Sequence, residues 1–140
     1  MLDENNVWLV PENNEEIEYA KKLIDKPDEF SMAIITYKQL KQLFRLDYIQ
    51  IGLYNGKYEE ILGYINMDNY KFSVKDFDPQ VTIDNKYFKP FFKYLIRGLK
   101  LYSTSAIKFY YSANKYLVVV EVEGKKGIIA CVKDELIIEG

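Results

Sequence analysis

The sequence predicts an α+β fold: a β-α-β-β-β unit that occurs twice, arranged as a pseudo-two-fold set of antiparallel sheets with two helices on one side, preceded by a short N-terminal helix. Three observations lead to it. Apolar residues alternate with a period of two along most of the chain beyond residue 30. Two stretches, at 37–44 and about 90–101, replace that alternation with apolar spacings of three and four. The order of strands and helix then repeats in the second half, although the two halves share little residue identity.

Taken in order, residues 1–30 form a helical extension and linker. Glu15 and Glu16 precede Ile17, Ala20, Leu23 and Ile24, and Lys21, Lys22 and Lys26 follow, the charge order that suits a helix dipole; Pro27 stops it. Residues 31–140 form the main domain. Met32–Thr36 reads as a strand whose Thr36 caps the next helix, and Tyr37, Leu40, Leu43 and Phe44 are that helix's apolar stripe. Ile49, Ile51 and Leu53 alternate up to Asn55-Gly56, a hairpin signal, and Tyr58, Leu62 and Tyr64 return. Tyr70, Phe72 and Val74 mark a further strand, and Asp76-Phe77-Asp78-Pro79 reads as a turn.

The second half opens with a short strand at Val81–Ile83. Pro90 suits the first turn of a helix, so the helix is predicted over about 90–101, with Phe91, Phe92, Leu95, Ile96 and Leu99 buried. Strands are predicted at Ala106–Tyr111, Tyr116–Val122 and Lys126–Val132, with turns at Ser112-Ala113-Asn114 and Glu123-Gly124-Lys125 and a last edge strand at Leu136–Ile138.

The 140 residues make one ordinary domain, 49% hydrophobic and 29% charged, with 7 Gly and 4 Pro, which is a globular composition. A chain of this size buries roughly two-thirds of its unfolded surface and needs neither disulfide nor metal to fold. It has no histidine, which excludes Ser-His-Asp and Cys-His nucleophiles and imidazole-bound zinc. A single cysteine, Cys131, excludes an intrachain disulfide and a multi-Cys zinc site, and its apolar strand predicts a buried, inert thiol. No apolar run approaches the ~18 residues of a membrane span, and the opening MLDENNVW lacks the features of a signal peptide. The expectation is an intracellular protein with no membrane partner.

Charge is unevenly divided. Tyr37–Leu46 and Asn85–Leu101 hold Lys38, Lys41, Arg45, Lys86, Lys89, Lys93, Arg97 and Lys100, eight of the 19 basic residues and none of the 21 acids, although the whole chain is net −2. Helical geometry places Lys38, Lys41 and Arg45 within about 60° of one another, and Lys93, Arg97 and Lys100 within a similar sector. Lys89 and Lys86 extend the second stripe only if the helix starts before Pro90. The bland reading is two ordinary solvated helix faces. The sharper one is a surface that meets a polyanion through phosphates, independently of sequence and weakened by salt.

Other groupings point elsewhere. Asp76, Asp78 and Asp84 read as turn acids before they read as Mg²⁺ ligands, and no carboxylate pair stands out as a glycosidase couple. Gly124-Lys125-Lys126-Gly127 lacks the spacing of a phosphate-binding loop and reads as a hairpin turn. Glu121 and Glu123 share a solvated face, and Tyr110, Tyr111 and Tyr116 pack as strand aromatics rather than stacking on bases. The chain has no recognisable catalytic centre, metal site or cofactor motif, so a non-enzymatic role is expected.

Residues 87–133 carry a tyrosine-led helix, a short polar turn, a strand, a hydrophobic strand ending in acids (LVVVEVE, 117–123), a glycine turn and a final strand. With a weaker match over Ile34–Ile65 and the two basic helices, this resembles one domain of the DNA sliding clamps, the proliferating cell nuclear antigen family. The resemblance implies helices lining a hole and touching duplex DNA phosphates without reading bases. The residues carried over are Lys38, Lys41, Arg45, Lys93, Arg97 and Lys100, with Lys89 beside them. It also implies a processivity role in DNA replication or repair, tethering a DNA polymerase or similar partners. With one such domain per chain, a ring requires a homo-oligomer. Residues 1–30 match nothing in the family pattern. The competing reading is a small α+β accessory protein, such as a virus carries, that binds a protein partner and not DNA. The abundance of Lys, Ile, Asn and Tyr fits an AT-rich genome, viral or archaeal.

Overall fold

The computed structural model describes residues 30–64, 76–112 and 117–132. Within them the chain runs β1 (Ser31–Thr36), α1 (Tyr37–Leu43), β2 (Tyr48–Tyr54), β3 (Tyr58–Tyr64), β4 (Phe77–Asp84), α2 (Asn85–Leu95), β5 (Ala106–Ser112), β6 (Leu117–Val122) and β7 (Lys125–Ala130). The fold class is α+β. The predicted N-terminal helix, the strand at Tyr70–Val74, Tyr116 and the edge strand at Leu136–Ile138 lie outside the described residues.

The strands form two antiparallel sheets, ordered β1-β5-β6-β7 and β3-β2-β4. The first strand of each half therefore joins the sheet built by the other half: β1 pairs with β5, and β4 pairs with β2. That exchange makes the two halves one unit, because neither sheet closes without a strand from the other. Alternation sets which side chains face inward; Ala33 and Ile35 on β1 sit opposite Phe109 and Ile107 on β5, and all four are buried.

The hairpin predicted at Asn55-Gly56 is present, with φ of 55° and 69°, the left-handed pair that a tight turn between twisted strands requires. The second hairpin turns at Glu123-Gly124, so Glu123 sits in the turn rather than on the strand face of Glu121. The turn expected over 76–79 is shorter than predicted. Only Asp76, at φ 66°, is in the turn, and Phe77–Asp84 is continuous strand. β4 carries Pro79 as an edge strand, beside a register slip against β2 between Ile51 and Gly52 that leaves Gln80 unpaired, and edges and bulges are where a strand tolerates proline. Gly52 permits the close approach: a Cβ there would run into the Asp78 carbonyl oxygen.

The second helix also departs from expectation. It spans Asn85–Leu95, not 90–101, and carries Pro90 inside it. Asp84 is the N-cap, its carboxylate accepting from the Lys86 amide at 2.9 Å, and this starts the helix five residues early. Pro90 and Lys86 are both exposed, so the one helical bond that Pro90 cannot make is lost on the wet side. Ile96 closes the helix, and Gly98, at φ +82°, turns the chain away. Leu99 and Lys100 are consequently not helical.

Both helices pack against one core. Phe88, Phe91, Phe92 and Leu95 of α2 and Leu40 of α1 are buried with Ile49, Ile51 and Ile83 of one sheet and Ile107 and Phe109 of the other. Polar links cross the same interior. Gln50 donates to Thr82 at 3.1 Å between β2 and β4. The Tyr111 hydroxyl donates to the Glu59 carboxylate, tying β5 of one sheet to β3 of the other. Burial, and then Glu59, raises the pKa of Tyr111 well above the usual phenol range.

Candidate functional site

The site begins with how α1 is held. Thr36 accepts from the Gln39 amide at 3.2 Å, while the Gln39 side chain accepts from the Thr36 amide at 3.0 Å, a reciprocal capping box. The next two amides are met from outside the helix: Tyr37 N–H donates to the Ser105 carbonyl at 2.8 Å and Lys38 N–H to that of Ser103 at 3.1 Å. At the far end, Asn85 is buried and its Nδ2 donates to the carbonyls of Leu43 and Leu46, at 2.9 and 2.7 Å. The first residue of α2 thus closes the C-terminus of α1, and the segment after α2 closes its N-terminus.

Aromatic contacts join the two helices. Tyr37 meets Phe92 with centroids 6.2 Å apart, and Phe44 meets Phe88 at 5.7 Å. Phe44 also meets Phe92, at 5.6 Å, so it is the Asn85 bonds to Leu43 and Leu46 that put the end of α1 by the start of α2, while Tyr37 puts its start by Phe92. The two helices lie side by side in opposite directions, each burying its apolar side.

Lys38, Lys41, Arg45, Lys86, Lys89, Lys93, Arg97 and Lys100 are all exposed. On α2, Lys86, Lys89 and Lys93 fall within about 60° of one another and opposite the phenylalanines. The structure thus brings the two predicted basic segments together and keeps Lys38, Lys41, Lys89 and Lys93 on helix faces. It corrects three positions: Arg45 lies just past α1, and Arg97 and Lys100 lie past α2, so their directions follow the chain's turn at Gly98 and not a helical wheel. Lys86, set aside on the sequence because of Pro90, belongs to the stripe.

Four of these cations lie near tyrosine rings: Lys41 over Tyr37 at 4.6 Å, Arg97 over Tyr94 at 4.6 Å, Lys86 over Tyr87 at 5.6 Å and Lys100 over Tyr102 at 5.8 Å. Only the Lys41–Tyr37 and Arg97–Tyr94 pairs carry a sequence signal, at spacings of four and three. None of the eight forms an ion pair with a carboxylate of the described residues; there the ion pair is Lys126–Glu121, at 3.9 Å, between β7 and β6. Lys125 adds a further cation, its ammonium donating to the Arg97 carbonyl at 2.7 Å. Two acids, Asp47 and Asp84, sit beside the start of α2, and their charges, after burial, raise the pKa of Tyr48.

The other candidate groups have structural roles. Asp78 accepts from Gln80 at 2.9 Å, Asp84 caps α2, and among the described residues no three Asp, Glu, Cys or His side chains converge as metal ligands. Tyr110 donates to Glu121 at 3.0 Å, and Tyr111 is buried against Glu59. Cys131 is half-buried rather than buried. Among the described residues no helix is long and apolar enough to cross a membrane. No protein-family model, curated protein or solved structure matches the chain.

Proposed function

We propose that this chain is a non-enzymatic, clamp-like protein that grips duplex DNA by its backbone and tethers replication or repair partners to it. The observation that carries the reading is the pair of adjacent antiparallel helices, whose exposed sides and flanks present eight cations drawn from segments without a single carboxylate. Such a surface meets phosphates and releases counterions, and contacts of that kind carry no sequence information and let a protein slide. The acidic remainder of the chain confines the attraction to one side. A ring would assemble several copies with their helices inward.

The test is duplex binding measured against salt for wild type and the double variant Lys93→Glu/Arg97→Glu. The expected result is at least about a tenfold loss of affinity and a salt slope shallower by about 2, one for each lost phosphate contact. Equal affinity of the two proteins at low salt overturns the proposal. Light scattering reads the assembly separately, a hexamer being the state expected of a closed ring built from one-domain subunits.

A further inference from the structure

We infer that, beside the duplex it grips, this surface also engages unpaired bases where the duplex opens, which stack on Tyr87 and Tyr102; the inference rests on the proposed phosphate-binding role of the helices and goes beyond it. A surface that needs only to neutralise phosphates has no use for exposed aromatic rings. Yet Tyr87 and Tyr102 are 51% and 61% exposed, among the most exposed large apolar side chains of the described residues. Each has a lysine ammonium over one face of its ring, 5.6 Å from the Tyr87 centroid and 5.8 Å from that of Tyr102, which leaves the rest of the exposed ring to a base. The rings of Tyr37 and Tyr94 differ in burial: both are half-buried, and the cation over each is closer, at 4.6 Å.

The two open rings bracket the basic stripe. Tyr87 is in the first turn of α2, about 100° round the helix from Lys86, at the flank of the lysine row. Tyr102 lies past the other end, on the segment whose Ser103 and Ser105 carbonyls hold the first amides of α1, so it stands by Lys38. Its own amide donates to the Ser105 hydroxyl at 2.8 Å, which fixes the backbone that carries the ring. A strand following the cations passes one tyrosine at each end, with a lysine beside each ring for the adjoining phosphate. Paired bases hide their faces in the duplex stack, whereas unpaired bases offer a face to any aromatic side chain, whatever their identity. The combination adds to the phosphate grip a hold on the opened strand at a junction where a duplex gives way to a single strand.

The experiment compares three labelled ligands by fluorescence anisotropy at fixed salt: an oligo-dT of about 20 nucleotides, longer than a typical stacking site, an abasic sugar-phosphate strand of equal length, and a duplex. The expected result is that wild type binds oligo-dT about tenfold or more tightly than the abasic strand. Tyr87→Ala/Tyr102→Ala removes that preference while keeping the abasic-strand affinity and its salt slope, and Tyr87→Phe/Tyr102→Phe retains it. Equal binding of oligo-dT and the abasic strand by wild type, or a preference that survives both alanines, overturns the inference and leaves the phosphate grip standing. No binding of the abasic strand or the duplex at low salt overturns the grip itself.

Discussion

The two helices both present lysines at the surface and are held in place by opposite means. α1 has seven residues and one fully buried side chain, Leu40; its hold is at the ends, through the Thr36–Gln39 box, the Ser103 and Ser105 carbonyls and the Asn85 amide. α2 has eleven residues and buries Phe88, Phe91, Phe92 and Leu95; its hold is the face, firm enough to keep Pro90 inside the helix. A seven-residue helix is far below the length that is stable alone in water, so α1 exists because α2 and its flanks complete it. The first basic stripe is therefore a consequence of the second helix, and damage to α2 should reach Lys38 and Lys41, whereas damage to α1 should leave Lys86, Lys89 and Lys93 in place.

The largest test of that asymmetry is Phe88→Ala. Phe88 is fully buried and its ring meets those of Phe44, Phe91, Phe92 and Phe109 at 5.7 to 5.9 Å, joining both helices to β5. The expected cost, measured by urea unfolding, is about 4 kcal/mol, a large share of the 5–15 kcal/mol typical of a domain. A loss below about 1 kcal/mol would mean that the face of α2 is not what anchors the pair.

Asn85→Ala comes next. It removes both donors to the end of α1 and leaves the Leu43 and Leu46 carbonyls to find other partners, for an expected loss of about 2 kcal/mol. Amide exchange separates this from general weakening: protection should fall along α1 while α2 keeps most of its own. Asn85 Oδ1 is buried without a hydrogen-bond partner, so the side chain is kept for what its amide donates rather than for a fully satisfied network.

What was legible in the sequence follows the same division. Local signals read correctly: Thr36 with Gln39 three residues on, Asn55-Gly56 between alternating runs, and the apolar stripe of Tyr37, Leu40, Leu43 and Phe44. Local rules misled where long-range packing opposed them. Pro90 argued for a helix start and Pro79 for a turn, but a face of phenylalanines with an Asp84 cap carried the helix through one, and an edge strand with a register slip accommodated the other. Of the site, the absence of acids from two segments was visible as composition. Their adjacency was not, because it depends on ring contacts such as Phe44–Phe88 between residues far apart in the chain, and on Asn85, whose donation to Leu43 leaves no mark in the intervening sequence.

The smallest effect is the most discriminating. Thr36→Ala removes the hydroxyl that accepts from the Gln39 amide and with it half of the box, a change ordinarily worth about 1 kcal/mol, with Thr36→Ser restoring most of it. Here the loss should stay at or below that value, because the Tyr37 and Lys38 amides keep their partners on the far side of α2 and only local groups are disturbed. Unfolding of Thr36→Ala and Asn85→Ala under identical conditions settles the order. If the cap costs more than the asparagine, α1 is sustained by its own sequence and the first basic stripe stands independently. If it costs less, as the hydrogen bonds imply, both stripes depend on α2, and any partner that binds the paired helices tightens the whole domain around that helix.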